Sequence, residues 1–340
     1  PANDNTLATL EVTAPRLSRE LYATPAAVST LDREDIAQGQ QRTRLDESLV
    51  RVPGVFLQNR DNFAQGQRIS IRGFGARAPF GVRGITVMVD GIPYTLPDGQ
   101  AQLDAIDLDS AERIEVIRGP MATRYGSEAM GGVINIITKK ISNEWNGNVT
   151  IGGNVMEHGS EADSWKTSVV VNGPIIQDKL GIQLRGSYLD RQKSERIPGT
   201  SGRDPRPSEA DIYDIGGKLS FKLNDQNSFW IDGFHSSQTY KNDDNRLGTQ
   251  DWTSIPRGAT GLGATGYKDE LEFKRDQISA GHDGDYSFGQ WTSYVSQTKT
   301  ETLGRTIPFR TFQNNVGEGA DRTLENTDFV ADSHVVLPIA

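Results

Sequence analysis

The chain has 340 residues, 36 of them glycine, no cysteine and a formal net charge of −9. The lack of cysteine excludes a disulfide framework, thiolate zinc sites and cysteine nucleophiles, and four histidines without an H-E-x-x-H pair give little from which to build a metal centre. The acidic balance argues against nucleic acid as a partner, and no apolar run reaches the roughly 18 residues of a membrane-spanning helix, although barrel strands carry a much weaker signal.

In chain order, residues 1–20 form a polar tail with one alternating run, Leu10-Glu11-Val12-Thr13-Ala14. No charged-then-apolar leader opens it, so the chain reads as cytoplasmic or as already processed. Residues 21–140 mix short helices and strands. Residues 31–36 and 45–50 predict helical pieces, stopped by Gly39 and by Pro53-Gly54. Residues 69–72, 85–90, 113–118 and 133–138 predict strands between glycine-rich turns. The acidic group Asp104, Asp107, Asp109 and Glu112 lacks the glycine of a calcium loop and reads as a loop entering a helix. This stretch is a compact α+β unit.

From about residue 144 helical periodicity disappears. Strands are expected near 144–154, 164–173, 178–188, 212–223, 227–237, 270–286, 290–300 and 324–337. Leu180, Ile182, Leu184 and Tyr188 share one face, with Gln183, Arg185 and Ser187 opposite. Tyr213, Ile215, Leu219, Phe221 and Leu223 likewise oppose Asp214, Lys218, Ser220 and Lys222. Strands 227–237 and 290–300 alternate less well. Short and long connections follow one another in strict order. In an antiparallel meander this puts every long loop at one rim and every short turn at the other, the asymmetry of an outer-membrane barrel. A soluble sandwich also alternates, but its strands are shorter, and loops of 20–30 residues are unusual in compact soluble domains. Eight strands enclose too little space for the preceding unit, whereas 22-stranded transporters hold a plug, so about 14 further strands are expected beyond this chain.

Enzyme motifs fail. Gly73-Phe74-Gly75-Ala76-Arg77-Ala78 has dinucleotide-loop spacing, but Pro79, Gly81 and Gly84 forbid the helix that would hold a pyrophosphate. Neither a phosphate-binding G-x-x-x-x-G-K-[ST] loop nor a G-x-S-x-G elbow is present.

Five segments occur in order: Val52-Pro53-Gly54-Val55, Ile71-Arg72-Gly73-Phe74, Val89-Asp90-Gly91-Ile92-Pro93, Arg113-Ile114-Glu115-Val116-Ile117-Arg118-Gly119-Pro120, and Arg124-Tyr125-Gly126-Ser127 running on through Gly131-Gly132-Val133-Ile134-Asn135. The series resembles the plug domain of TonB-dependent outer-membrane receptors. The closing run is most similar to the ferric-catecholate branch, while Phe80-Gly81-Val82-Arg83-Gly84 and Pro97-Asp98-Gly99-Gln100 resemble receptors for other ligands. The resemblance implies an α+β plug domain (residues 21–140) followed by antiparallel transmembrane β-barrel strands (141–340), with the barrel incomplete in this chain.

The same resemblance implies function. Residues 10–14, Leu10, Glu11, Val12, Thr13 and Ala14, are similar to the TonB box. An outer membrane has no ATP, so an extended tail adding as a strand to an inner-membrane partner would carry the work. Plug arginines are implied to pair with acidic residues of the barrel wall, and Arg72 and Arg118 are the candidates. Ligand contact is expected at the plug apex. Residues 55–102 carry five arginines against three aspartates, a lining suited to an anionic aromatic ferric siderophore. Arg60, Phe63, Gln65, Arg77, Phe80, Tyr94 and Gln100 fall in turns that reach that apex. The implied partners are TonB, a ferric siderophore and outer-membrane lipid. Haem, cobalamin or another scarce cofactor as ligand, or a passive surface receptor or adhesin, are the alternatives.

Overall fold

The computed structural model describes residues 11–12, 19–20, 27–38, 40–58, 67–77, 82–96, 99, 101, 103, 105–121, 125, 129–155, 163–192, 209–241, 270–307 and 320–337. In the tail, β1 (Glu11–Val12) pairs antiparallel with β2 (Arg19–Glu20).

The α+β unit follows as β3 (Ala27–Leu31), α1 (Arg33–Ala37), α2 (Leu45–Leu49), β4 (Val55–Gln58), β5 (Arg68–Ile71), β6 (Ile85–Val89), β7 (Ile92–Pro93), β8 (Ala111–Arg118) and β9 (Gly132–Thr138). Five of its strands form one sheet in the order β3-β8-β9-β6-β7, with β6 and β9 parallel. The β4–β5 hairpin stands apart. These central strands are apolar on both faces, as a sheet covered on two sides requires. Ile85, Val87, Ile114, Val116 and Ile134 bury against Ile36, Leu45, Leu49, Ile69 and Ile71 from the helices and β5. Gly132 makes the β8–β9 pairing possible, because a Cβ there would stand 2.3 Å from the Ile117 carbonyl oxygen.

Two expectations need correction. The helix expected over 31–36 starts only at Arg33, because Asp32 is its N-cap, accepting from Asp35 N at 2.9 Å, and Leu31 closes β3. The acidic group at 104–112 enters no helix. The Asp107 carboxylate accepts from Asp109 N (2.8 Å) and Ser110 N (3.2 Å), and that Asx turn feeds straight into β8.

The rest is one antiparallel meander: β10 (Asn146–Asn154), β11 (Ser164–Ile176), β12 (Leu180–Arg191), β13 (Glu209–Lys222), β14 (Asn227–Lys241), β15 (Glu270–Tyr286), β16 (Gly289–Ile307) and β17 (Ala320–Val336). The sheet is open, with β10 and β17 as its two edges. The connections 177–179, 223–226 and 287–288 are short and lie at one rim.

Its outward face carries a lipid-type band. Ile151, Leu184, Ile215, Ile231, Ile278 and Phe329 are each more than half exposed. Trp165, Tyr188 and Tyr213 edge this band toward the long connections; Trp145, Phe221, Phe229 and Trp291 edge it toward the short turns. From Tyr213 to Phe221 the chain rises about 27 Å along the strand, or about 20 Å across a membrane at a tilt of about 40°. Further out the same face turns charged, with Lys274 paired to Glu272 (3.0 Å) and Lys299 to Glu301 (2.7 Å).

Candidate functional site

The α+β unit docks on the inward face of the β-sheet wall, and the seam between them is the chemically richest part of the described residues. Two segments of the unit make the seam.

The first is the β6–β7 hairpin. Asp90 and Gly91 form a two-residue turn with φ of 49° and 79°, the twist that suits a tight hairpin and the reason Asp-Gly stands there. Four successive wall strands hold it. Lys218 Nζ of β13 lies 3.3 Å from Asp90 Oδ2. Phe234 of β14 stacks on Tyr94, with ring centroids 6.5 Å apart. Arg275 of β15 donates to the Tyr94 carbonyl oxygen (2.9 Å) and the Pro93 carbonyl oxygen (3.4 Å), with its guanidinium 4.0 Å from the centre of the Tyr94 ring. Tyr294 of β16 donates its hydroxyl to the Gly91 carbonyl oxygen (3.3 Å). Within the unit, the Asp90 carboxylate also accepts from Thr138 N (2.8 Å) and Oγ1 (2.6 Å). Burial pushes this carboxyl up; the Lys218 charge and the Thr138 hydrogen bonds outweigh it and hold Asp90 below the usual carboxylate range.

The second segment is the loop before β8. Asp109 is fully buried and meets Lys166 Nζ of β11 at 2.7 Å, Arg42 Nε at 3.1 Å and Arg33 at 3.9 Å. Lys166 also donates to the Arg42 carbonyl oxygen. Burial raises the Asp109 carboxyl, but the Lys166 charge and hydrogen bond, then Ser168 and Arg42, bring it below its ordinary value. Beside it Ala105 packs with Leu189, Ala210, Ile212 and Tyr240 from β12, β13 and β14. The segment that links unit to wall adds two hydrogen bonds, from Gln183 Nε2 to the Lys139 carbonyl oxygen (3.0 Å) and from Ser142 N to Asn172 Oδ1 (3.1 Å).

The residues expected from sequence fall in several places. Glu11 and Val12 form β1; Leu10, Thr13 and Ala14 lie outside the described residues, as do Arg60, Phe63, Gln65, Phe80 and Gln100. Arg77 is exposed in the turn after β5. Tyr94 is only 4% exposed, in the seam. Arg72 is exposed at a positive φ of 51°, its N donating to the Gly54 carbonyl oxygen (3.1 Å). Arg118 donates to the Pro53 carbonyl oxygen (2.6 Å) and to Ser29 Oγ (3.0 Å), both within the unit. Among the described residues, two ion pairs cross the seam with the acid on the unit and the base on the wall, Asp90 with Lys218 and Asp109 with Lys166. Sequence reasoning did not find these four. Their partners lie 57 and 128 residues apart, and no local spacing joins them.

Comparison with known proteins places this geometry. A family model described as the TonB-dependent receptor plug domain matches residues 20–133. The iron-regulated outer membrane virulence protein of Vibrio cholerae is 28% identical over 339 residues, covering 97% of this chain and 45% of that protein. The probable TonB-dependent siderophore receptor PirA of Acinetobacter baumannii is 30% identical over 367 residues, covering 98% and 45%. The crystal structure of a variant of the ferric enterobactin receptor PfeA of Pseudomonas aeruginosa superposes with a TM-score of 0.73 at 26% identity, over 93% of this chain and 47% of that one; another variant is solved in complex with enterobactin. The chain thus spans about half the length of the proteins it matches. Residues 20–133 are a TonB-dependent receptor plug domain, and with the strands that follow the chain shares the fold of the solved outer-membrane siderophore receptors, a plug seated against part of a transmembrane barrel.

Proposed function

We propose that this chain is part of a receptor that imports a ferric siderophore of catecholate type across the outer membrane, driven by TonB. The observation that carries the reading is the likeness, across nearly the whole chain, to proteins named as siderophore and ferric enterobactin receptors. In this reading the plug closes the barrel until a loaded ligand sits on its outer apex. Arg60, Phe63, Gln65, Arg77, Phe80 and Gln100 are the proposed apex contacts, cations, aromatics and amide donors for an anionic aromatic complex. Tyr94 belongs to the same group by sequence, but its ring is already covered by Arg275 and Phe234. Residues 10–14 are the proposed TonB contact. Glu11–Val12 is extended and strand-paired, the conformation that strand addition to a partner's sheet edge requires. The work is binding and conformational change, with no bond made or broken.

The test uses the full-length receptor in cells, with ferric enterobactin as probe. Deletion of residues 10–14 is expected to leave surface binding intact and to abolish accumulation. Accumulation that persists after the deletion overturns energised import; a receptor that does not bind ferric enterobactin overturns the ligand class.

A further inference from the structure

We propose that Arg275 of the barrel wall is a positioning residue for ligand binding. With Phe234 it fixes Tyr94, and through Tyr94 it sets the segment that carries the proposed contact Gln100. This rests on the apex reading above and extends it to a wall residue that does not touch ligand.

Both partners are buried, Arg275 at 7% and Tyr94 at 4% exposure. β7 is an edge strand of the plug sheet, and at its end Arg275 supplies the donors that no further strand provides. One guanidinium nitrogen donates to the Tyr94 carbonyl oxygen (2.9 Å); the other reaches the Pro93 carbonyl oxygen (3.4 Å) and Gln277 Oε1 on its own strand (3.0 Å). The bond to Gln277 fixes the fork relative to the wall. The same guanidinium lies over the Tyr94 ring, and the Phe234 ring stacks within 7° of parallel to it. On the plug side, Tyr94 N (2.8 Å) and Thr95 N (3.2 Å) both donate to the Val87 carbonyl oxygen, and Thr95 Oγ1 accepts from Val87 N (2.8 Å). Tyr94 thus spends its N–H on the plug and its carbonyl on the wall.

The heights of the contacts say which end of the plug is held. Gly91 meets Tyr294, which is level with Trp230 of β14 through Gly281. Tyr94 meets Arg275, which is level with Ser236. Ala105 clusters with Ala210 and Tyr240, which pair with each other. From Trp230 through Ser236 to Tyr240, β14 runs from the short turn 223–226 toward its long connection. The plug chain therefore climbs the wall toward the long connections as it passes from Gly91 to Ala105. Between Tyr94 and Ala105, Gly99 N donates to the Leu96 carbonyl oxygen (2.8 Å), and Ala101 and Leu103 are buried. The stretch of chain on either side of residue 100 is tied to the plug core by Ala101 and Leu103 and to the wall by Tyr94.

The test is the ferric enterobactin affinity of the full-length receptor in outer-membrane preparations, read as a double-mutant cycle. Arg275→Lys keeps the charge, but a compact ammonium cannot serve two carbonyl groups and lie flat on a ring. It is expected to weaken binding about tenfold, the scale of one charge-assisted hydrogen bond. Because Arg275 acts through the segment of Gln100, Arg275→Lys adds little to Gln100→Ala, and the double variant binds about as the weaker single variant does. Combined with Arg60→Gln, in the separate β4–β5 connection, the two losses multiply. Phe234→Leu removes the ring stacked on Tyr94 and no charge. It is expected to give the same pattern, and it carries the test if the Arg275→Lys receptor does not reach the outer membrane. Unchanged affinity in both wall variants, losses that multiply with Gln100→Ala as they do with Arg60→Gln, or a Gln100→Ala receptor that binds as wild type each overturn the proposal. A wild-type receptor that does not bind ferric enterobactin overturns the ligand reading first, and the role of Arg275 with it.

Discussion

Asp109 carries a structural burden out of proportion to its size. It is a carboxylate at 0% exposure, ringed by one lysine and two arginines from three parts of the chain. An exposed ion pair contributes little. A buried one is a different case: the partners have lost their water, and removal of one leaves the other stranded. Asp109→Asn keeps the shape and removes the charge, so it is expected to destabilise the docked plug by about 3–5 kcal/mol. The check is the thermal midpoint of the full-length receptor in detergent. The pH dependence follows from the sign of the shift. The folded carboxyl titrates below its ordinary value of 3.8, so its contribution is complete above that value and is lost as pH falls through the lowered one. The difference between wild type and Asp109→Asn is therefore expected to hold from about pH 7 to about pH 5 and to shrink below about pH 4. A difference that already vanished near pH 5 would show that Asp109 is not held by Lys166 and the arginines.

At the scale of elements, the strands were the most legible part of the sequence, and the places where they blurred are informative. Strands β12 and β13 alternate cleanly because one face meets lipid and the other carries Gln183, Arg185, Asp214 and Lys218. Strands β14 and β16 alternate poorly because their inward faces are not simply polar. Phe234 and Tyr294 point to the plug hairpin, while His235, on the outward face of β14, hydrogen-bonds Asp276 at 2.6 Å. The docking that makes the seam is what erased the pattern. The seam itself was illegible for a related reason. Asp90 was visible as half of an Asp-Gly turn, but nothing within reach along the chain announces Lys218. The lipid face gives the sharper test. Ile278 is outward at mid-strand, and its β14 partner Gly233 lies opposite Gly217, halfway from Tyr213 to Phe221. Ile278→Arg is expected to cost about 2–4 kcal/mol in reversible denaturant unfolding from vesicles, the penalty of an arginine near the bilayer midplane. A neutral result would place this band outside the hydrocarbon.

For the whole molecule, the arrangement commits the protein to one depth in the membrane. Tryptophans report it. Trp165 sits at the edge of the apolar band nearer the long connections, Trp291 at the edge nearer the short turns, and Trp230 turns inward, where Lys218 Nζ lies 5.3 Å from its ring centre. Aromatic side chains at the two interfaces keep an apolar body in the chains and a polar edge in the headgroups; Trp291 Nε1 donates to Ser333 Oγ at 3.0 Å. In single-tryptophan variants of the full-length receptor, reconstituted with brominated lipids, three behaviours are expected. Trp165 and Trp291 are quenched best by bromines high on the acyl chain, close to the headgroups. A tryptophan introduced by Ile278→Trp is quenched best by bromines deep in the chain. Trp230 is shielded at every depth, because it stands on the plug side of the wall, away from lipid. The measurement separates the inside of the barrel from the outside without a ligand. Strong quenching of Trp230 would mean that the face bearing Lys218, Arg275 and Tyr294 meets lipid, and the plug would then have no wall to stand against.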